Sequence, residues 1–254
     1  MPVLILIAFV AIACSLTWYL LSHDRGPKEP VVALWFAFGI GAIGAVFAYL
    51  IESRLIKAGS LSAGSPYSSL FGITMLVALI EESCKFIPLA LFLYKKSYFN
   101  EHTDGIIYFA IAGLGFGIPE NIIYTILGGS QAGVMRILLT SLFHASTTAV
   151  IGYFLAKQKV EKKSLWIVVV AFLGIVLVHG LYDFGLLSGI NSLALMSVII
   201  TFSLTFALFA SFSRATRLDQ KLGLSYVPGN NFCRNCGVMN TRHSFYCAQC
   251  HKNA

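Results

Sequence analysis

Charge is what this chain has least of. Lysine, arginine, aspartate and glutamate together make up 11% of its 254 residues, where a soluble protein carries roughly 25%. With 57% hydrophobic residues beside that scarcity, a soluble globular protein is excluded and a polytopic membrane protein is expected. No lysine or arginine precedes the first apolar run, about 3–21. The basic n-region of a secretory signal is therefore missing, and the run is expected to remain as a span. The short Ala11-Ile12-Ala13-Cys14 similarity to a lipoprotein cleavage site fails for the same reason. No acidic or histidine motif recurs along the chain, which argues against the repeated architecture of many transporters. The formal net charge is +7, yet the basic residues fall mostly at the ends of apolar runs, where orientation signals belong. No nucleic-acid partner is expected.

What is present is a series of about seven apolar runs, near 3–21, 31–51, 70–94, 104–127, 132–156, 165–187 and 190–212. Each approaches the roughly 20 residues that a helix needs to cross a bilayer. The expected fold is all-α, with about seven transmembrane helices in residues 1–212, a linker at 213–231 and a small zinc ribbon at 232–254. Arg25, Lys28, Lys95, Lys96, Lys157, Lys159, Lys162 and Lys163 lie in loops on one side, joined by Arg214, Arg217 and Lys221. Arg54 and Lys57 lie on the other, with Arg136 just inside a span. The positive-inside rule then puts the N-terminus outside and the C-terminal tail in the cytosol of a prokaryotic cell.

One stretch breaks the apolar pattern. Leu79-Ile80-Glu81-Glu82-Ser83-Cys84-Lys85-Phe86 sits in the middle of the third run. On insertion scales each such charge costs about 2.5–3.5 kcal/mol at a span's centre, and each Leu or Ile returns only about 0.3–0.6. Such groups persist where they face the protein interior or a wet cavity. A structural ion pair would need one acid and one base, and here two acids accompany one base. Lys85 is i+4 from Glu81 and i+3 from Glu82, positions that meet on a helix face. Spacing slightly favours Glu81 as the paired acid without deciding the matter. Glu81 and Glu82 are about 100° apart around the axis, so both cannot readily address one atom.

Other polar groups occupy neighbouring runs. Gly113-Leu114-Gly115-Phe116-Gly117-Ile118-Pro119-Glu120-Asn121 suggests a bent or broken helix, which at membrane depth must line a cavity or be buried in protein. His144 lies near the middle of the fifth run, and His179 and Asp183 are i and i+4 in the sixth. Gly39, Gly41 and Gly44 match a dinucleotide-binding spacing. They lie inside a span, however, where small residues let helices approach. An unpaired carboxylate in an apolar cavity is a candidate base. Two imidazoles with a carboxylate could hold a catalytic zinc. Without metal the imidazoles could donate to an oxyanion. The same groups could form the proton relay of a transporter, and an inactive scaffold is a third reading.

Glu81-Glu82-x-x-Lys85, Gly115-Phe116-x-x-x-Glu120-Asn121-x-x-Tyr124, His144 and His179-x-x-x-Asp183, as an ordered set, resemble the motifs of the PrsW family of intramembrane proteases. That family is in turn distantly similar to the CAAX-type prenyl endopeptidases. The resemblance covers about 80–183. It implies an endopeptidase acting on membrane-protein substrates, with Glu81, Glu82, His144 and His179 at its centre, and with Lys85, Glu120, Asn121 and Asp183 alongside. In the CAAX-type relatives the basic residue falls one position later, which favours the second acid as its partner. Both acids therefore stay in the site. Whether the enzyme is of the glutamate or the zinc type stays open.

The tail carries Cys233-Arg234-Asn235-Cys236 and, ten residues on, Cys247-Ala248-Gln249-Cys250. Two C-x-x-C knuckles at this separation form a zinc-ribbon signal. Four thiolates close a tetrahedral site, so this zinc is structural, and it supplies the folding energy of a segment too short to have a core. A reducing cytosol disfavours a pair of disulfides. The ribbon is expected to regulate the enzyme or bind a protein partner.

Overall fold

The computed structural model describes residues 2–59, 66–225, 233, 236–238, 249 and 250, and the side chains of most of these. It is all-helical over the long described segments: α1 (Pro2–His23), α2 (Val31–Gly59), α3 (Tyr67–Leu93), α4 (His102–Glu161), α5 (Trp166–Leu187) and α6 (Asn191–Lys221). Element α4 is 60 residues long, which would reach about 90 Å if straight. It instead holds two apolar spans, His102–Ile126 and Leu139–Glu161. These arms run side by side, with Gly105 against Gly152 and Gly113 against His144. Counting both arms, the described residues make seven helical passes. Five described stretches are long and apolar enough to cross a membrane, namely these two arms with Val31–Leu55, Trp166–Leu187 and Asn191–Lys221. Helix α3 carries the three charges at its centre.

The arms of α4 form the middle of the bundle, 72% and 78% of their span residues being buried against 17–33% for the other three stretches. Helices α1, α2, α3, α5 and α6 all pack on α4, and α3 also packs between α2 and α5. Outward side chains such as Val32, Leu91, Ile126 and Phe206 are apolar and exposed, as expected where lipid is the solvent. This is an integral membrane protein.

Glycine explains the close packing, and it corrects one expectation. Helix α4 is continuous through Gly113–Asn121, so the glycine-rich stretch does not break it. A Cβ at Gly113 would collide with the backbone of His144, and one at Gly115 with that of Phe38. These glycines serve the approach of neighbouring helices. Of the second-run glycines, Gly41 and Gly44 do the same against Ala112 and Cys84, while Gly39 faces open space.

The lysine-rich end of the bundle is tied by acids. Asp219 of α6 is fully buried and accepts hydrogen bonds from the backbone N–H of His102 (2.9 Å) and Thr103 (3.1 Å) and from His102 Nδ1 (2.6 Å). It thereby satisfies orphan donors at the start of α4 and lies at the positive end of that helix's dipole. Asp104 completes a capping box by accepting from the backbone N–H of Glu101 (2.8 Å). Helix α6 thus continues to Lys221, and residues 213–221 are helical where the composition reads as a linker. Most of the expected ribbon, Cys247 included, and residues 60–65 lie outside the described residues.

Candidate active site

The third, fourth, fifth and sixth passes bring their polar groups to one place. On α3, Glu82 and Lys85 are fully buried and Glu81 is 6% exposed. His144 comes from the second arm of α4, Glu120 from the first, and His179 with Asp183 from α5. Lys85 Nζ donates to Glu82 Oε1 at 2.7 Å and lies 3.8 Å from Glu81 Oε2. The paired acid is therefore Glu82, against the slight preference that i,i+4 spacing gave to Glu81. The physical reason is a second donor, since His179 Nδ1 also reaches Glu82 Oε1 at 2.7 Å. Two positive or donating groups settle on one carboxylate and fix its rotamer, which spacing along a single helix cannot reveal. Lys85 Nζ also stands 4.5 Å from the centre of the Phe116 ring, a cation–π contact.

The two imidazoles are each pinned by a carboxylate. Glu82 takes the Nδ1–H of His179, which leaves Nε2 bare. Glu120 takes the Nε2–H of His144, which leaves Nδ1 without a proton of its own and accepting from Lys85 Nζ. A carboxylate accepts only, so these bonds assign the tautomers. Both unprotonated nitrogens face Glu81. His179 Nε2 is 3.5 Å and His144 Nδ1 4.0 Å from Glu81 Oε2. That oxygen is buried and has no hydrogen-bond partner among the described residues. Three lone-pair atoms thus converge, and ligand atoms of Glu81, His144 and His179 lie within 4.8 Å of one another. Lys85 Nζ supplies one N–H to His144 Nδ1 at 3.0 Å. Ligands about 2.1 Å from a tetrahedral zinc stand roughly 3.4 Å apart, so the 3.5 Å separation fits a metal.

Access follows from exposure. The side chains of Glu120 and Asp183 are 15% and 20% exposed, those of His144 and His179 no more than 2%. Asp183 Oδ2 stands 3.5 Å from His179 Nε2. Asn121, expected in the site, is fully buried and donates to Ser141 Oγ at 3.2 Å, which braces the two arms of α4. The ring of Phe143 stacks on Tyr182 at 3.9 Å and stands edge-on to His179 at 4.9 Å, walling the imidazole.

One acid escaped the sequence reading. Glu52 lies just past the second apolar run, 31–51, but α2 continues to Gly59 and carries it. Its Oε1 is buried without a hydrogen-bond partner among the described residues, and Glu120, Asp183 and Lys85 lie within its electrostatic reach. An acid one residue beyond the apolar run ending at Ile51 was the available signal.

Among the tail cysteines, Cys233, Cys236 and Cys250 have their thiols within 4.8 Å of one another, with 3.4 Å between the sulfurs of Cys233 and Cys250. Gly237 sits at φ +71° and donates its N–H to Cys233 O at 2.8 Å.

Residues 29–211 match the model of the PrsW family of intramembrane metalloproteases. The chain belongs to the PrsW family. It is 33% identical to Protease PrsW of Clostridioides difficile strain 630 over 189 residues, 71% of this chain and 78% of that one. It is 30% identical to Protease PrsW of Bacillus subtilis strain 168 over 182 residues, covering 71% and 81%, and 32% identical to that of Oceanobacillus iheyensis over 197 residues, covering 76% and 86%. No solved structure matches. The protein is thus an intramembrane endopeptidase, with membrane proteins as substrates, and the transporter and scaffold readings fall away. The PrsW match spans every residue of the buried cluster and ends before the tail cysteines.

Proposed function

We propose that peptide bonds of membrane-protein substrates are hydrolysed at a zinc centre held by Glu81, His144 and His179. The supporting observation is the convergence on one buried space of the second nitrogens of two imidazoles, that of His144 also reached by Lys85, and a carboxylate oxygen with no hydrogen-bond partner among the described residues. Lys85 Nζ already donates to His144 Nδ1 at 3.0 Å and stands 3.8 Å from Glu81 Oε2, so in this reading zinc would take over the positive charge that Lys85 lends these two atoms. When bound, the metal polarises the scissile carbonyl and lowers the pKa of a water. The chain's own groups do the rest. Glu82 and Glu120 hold the far N–H of each imidazole, as carboxylates do behind metal-ligating histidines. Lys85 balances the charge of Glu82. Asp183, at the open side, takes the proton from the attacking water at Oδ2. Phe143, Tyr182 and Phe116 keep the remainder dry.

In the same reading Cys233, Cys236, Cys247 and Cys250 hold a structural zinc on the cytosolic side, with the N-terminus outside a prokaryotic cell membrane. The ribbon regulates the protease or recruits a protein partner. The test is cleavage of a panel of single-span substrates together with zinc content of the full chain. Wild type is expected to cleave and to carry two zinc ions. Cys233→Ser/Cys236→Ser is expected to carry one and still cleave, and Glu81→Gln and His179→Ala to lose the membrane zinc and the cleavage together. An active, metal-free Cys233→Ser/Cys236→Ser protein would overturn the zinc centre and leave Glu81 as a base.

A further inference from the structure

A groove of about 610 Å³ opens between α3, the second arm of α4 and α5. Its walls are apolar, with Ile87 and Leu91 on α3, Leu155 on α4, and Val168 and Phe172 on α5. At about 100° per residue, the groove face of α3 lies on the far side of that helix from Glu81, Glu82 and Lys85. The groove is therefore separate from the catalytic cavity and opens outward. In a bilayer, acyl chains are the solvent for such a face.

The end of the groove is polar and basic. Tyr94 Oη donates to Gln158 Oε1 at 2.8 Å and closes the top of the cleft, beside Lys95. Lys159 Nζ donates to Lys96 O at 2.9 Å and ties the α3–α4 loop to the end of α4. Lys162 and Lys163 are exposed in the next loop, and Trp166 is 71% exposed one turn below. Tyr94 and Trp166 mark the headgroup level, where amphipathic aromatic rings collect. The nearby acid Glu161 is engaged by His102 (3.1 Å) and Lys163 (3.8 Å). Apolar walls, an aromatic belt and a lysine rim follow one another in the order of a phospholipid's own parts.

We propose that this groove binds one anionic phospholipid, its acyl chains along α3 and α5 and its phosphate at Lys95 and Lys162. Basic pockets between transmembrane helices favour such headgroups. The competing occupant is a substrate helix. Its cytosolic flank would itself be basic by the positive-inside rule, so the lysine rim repels it. From the outer face of α3 it also could not reach Glu81. A lipid seated here bridges the helix that carries Glu81, Glu82 and Lys85 to the helix that carries His179.

The experiment uses the full-length protein in detergent with equal phosphatidylglycerol and phosphatidylcholine added, and counts retained lipids by native mass spectrometry. Wild type is expected to retain one phosphatidylglycerol at least tenfold over phosphatidylcholine. Lys95→Glu/Lys162→Glu is expected to lose the preference. Leu91→Trp, which fills the apolar part and leaves the lysines in place, is expected to lose retention. Thermal melting of each variant separates this from misfolding, because folded variants keep a cooperative transition. Equal retention of the two lipids by wild type overturns the proposal. So does phosphatidylglycerol kept by Leu91→Trp, which would reduce the site to a charged surface, or displacement by a single-span substrate peptide, which would give the groove to the substrate.

Discussion

Replacing Glu82 by glutamine should damage the fold, whereas replacing Glu81 by glutamine should damage only the chemistry. Glu82 and Lys85 are both fully buried and meet at 2.7 Å. Breaking a buried pair by neutralising one partner costs about 3–5 kcal/mol, because the other charge is stranded. At roughly 2–4 °C per kcal/mol for a chain of this size, the melting temperature should fall by about 6–20 °C. Glu81 Oε2 accepts no hydrogen bond among the described residues, and Lys85 stands off at 3.8 Å. With metal stripped from both proteins by a chelator, Glu81→Gln should therefore melt within about 2 °C of wild type, while its cleavage is lost when zinc is supplied. The decisive variant is Glu82→Gln/Lys85→Met, which replaces the pair by two neutral groups of similar volume. Such replacements are often neutral or stabilising, so most of the lost melting temperature should return while activity stays absent. The assay is thermal unfolding of purified protein in detergent, read by tryptophan fluorescence, on all four proteins. If Glu82→Gln melts with wild type, or the double variant is no better than the single, Glu82 is not the counterion of Lys85 and the assignment of roles on α3 fails.

Two further outcomes are expected. Glu120→Leu removes the carboxylate that holds the Nε2–H of His144, so metal affinity and cleavage should fall about 10–100-fold, measured by zinc retention against a chelator and by substrate turnover. At the lysine-rich end, burial first, then the charges of Asp24 and Asp219, push the Glu101 carboxyl up to about 9 from an ordinary 4.5. The folded state then holds this proton more tightly than the unfolded state, so the stabilisation present below about pH 4.5 is lost as pH rises towards 9. The melting temperature of wild type should decline across that window, and Glu101→Gln should flatten the decline; parallel profiles for the two proteins would remove Glu101 from the account.

Much of this was written into the residues themselves. Seven passes follow from apolar runs because the bilayer accepts only backbone whose hydrogen bonds are closed within a helix. Glu81, Glu82 and Lys85 declare a site for the same reason, since charge at that depth has no place facing lipid. His144, His179 and Asp183 are legible in the same way. What one-dimensional spacing could not supply is which atoms share a bond. Glu82 rather than Glu81 takes Lys85 because His179, 97 residues away, donates to the same oxygen. Asn121 donates to Ser141 across the two arms of α4, a bond that spacing along the chain does not announce. Glu52 joins the cluster's surroundings only because α2 outruns its apolar stretch by two turns. Hydrophobic thickness decides from local composition where the chain crosses the bilayer, whereas helix ends beyond that thickness and the pairing of buried charges depend on groups from several helices and are settled only when they pack.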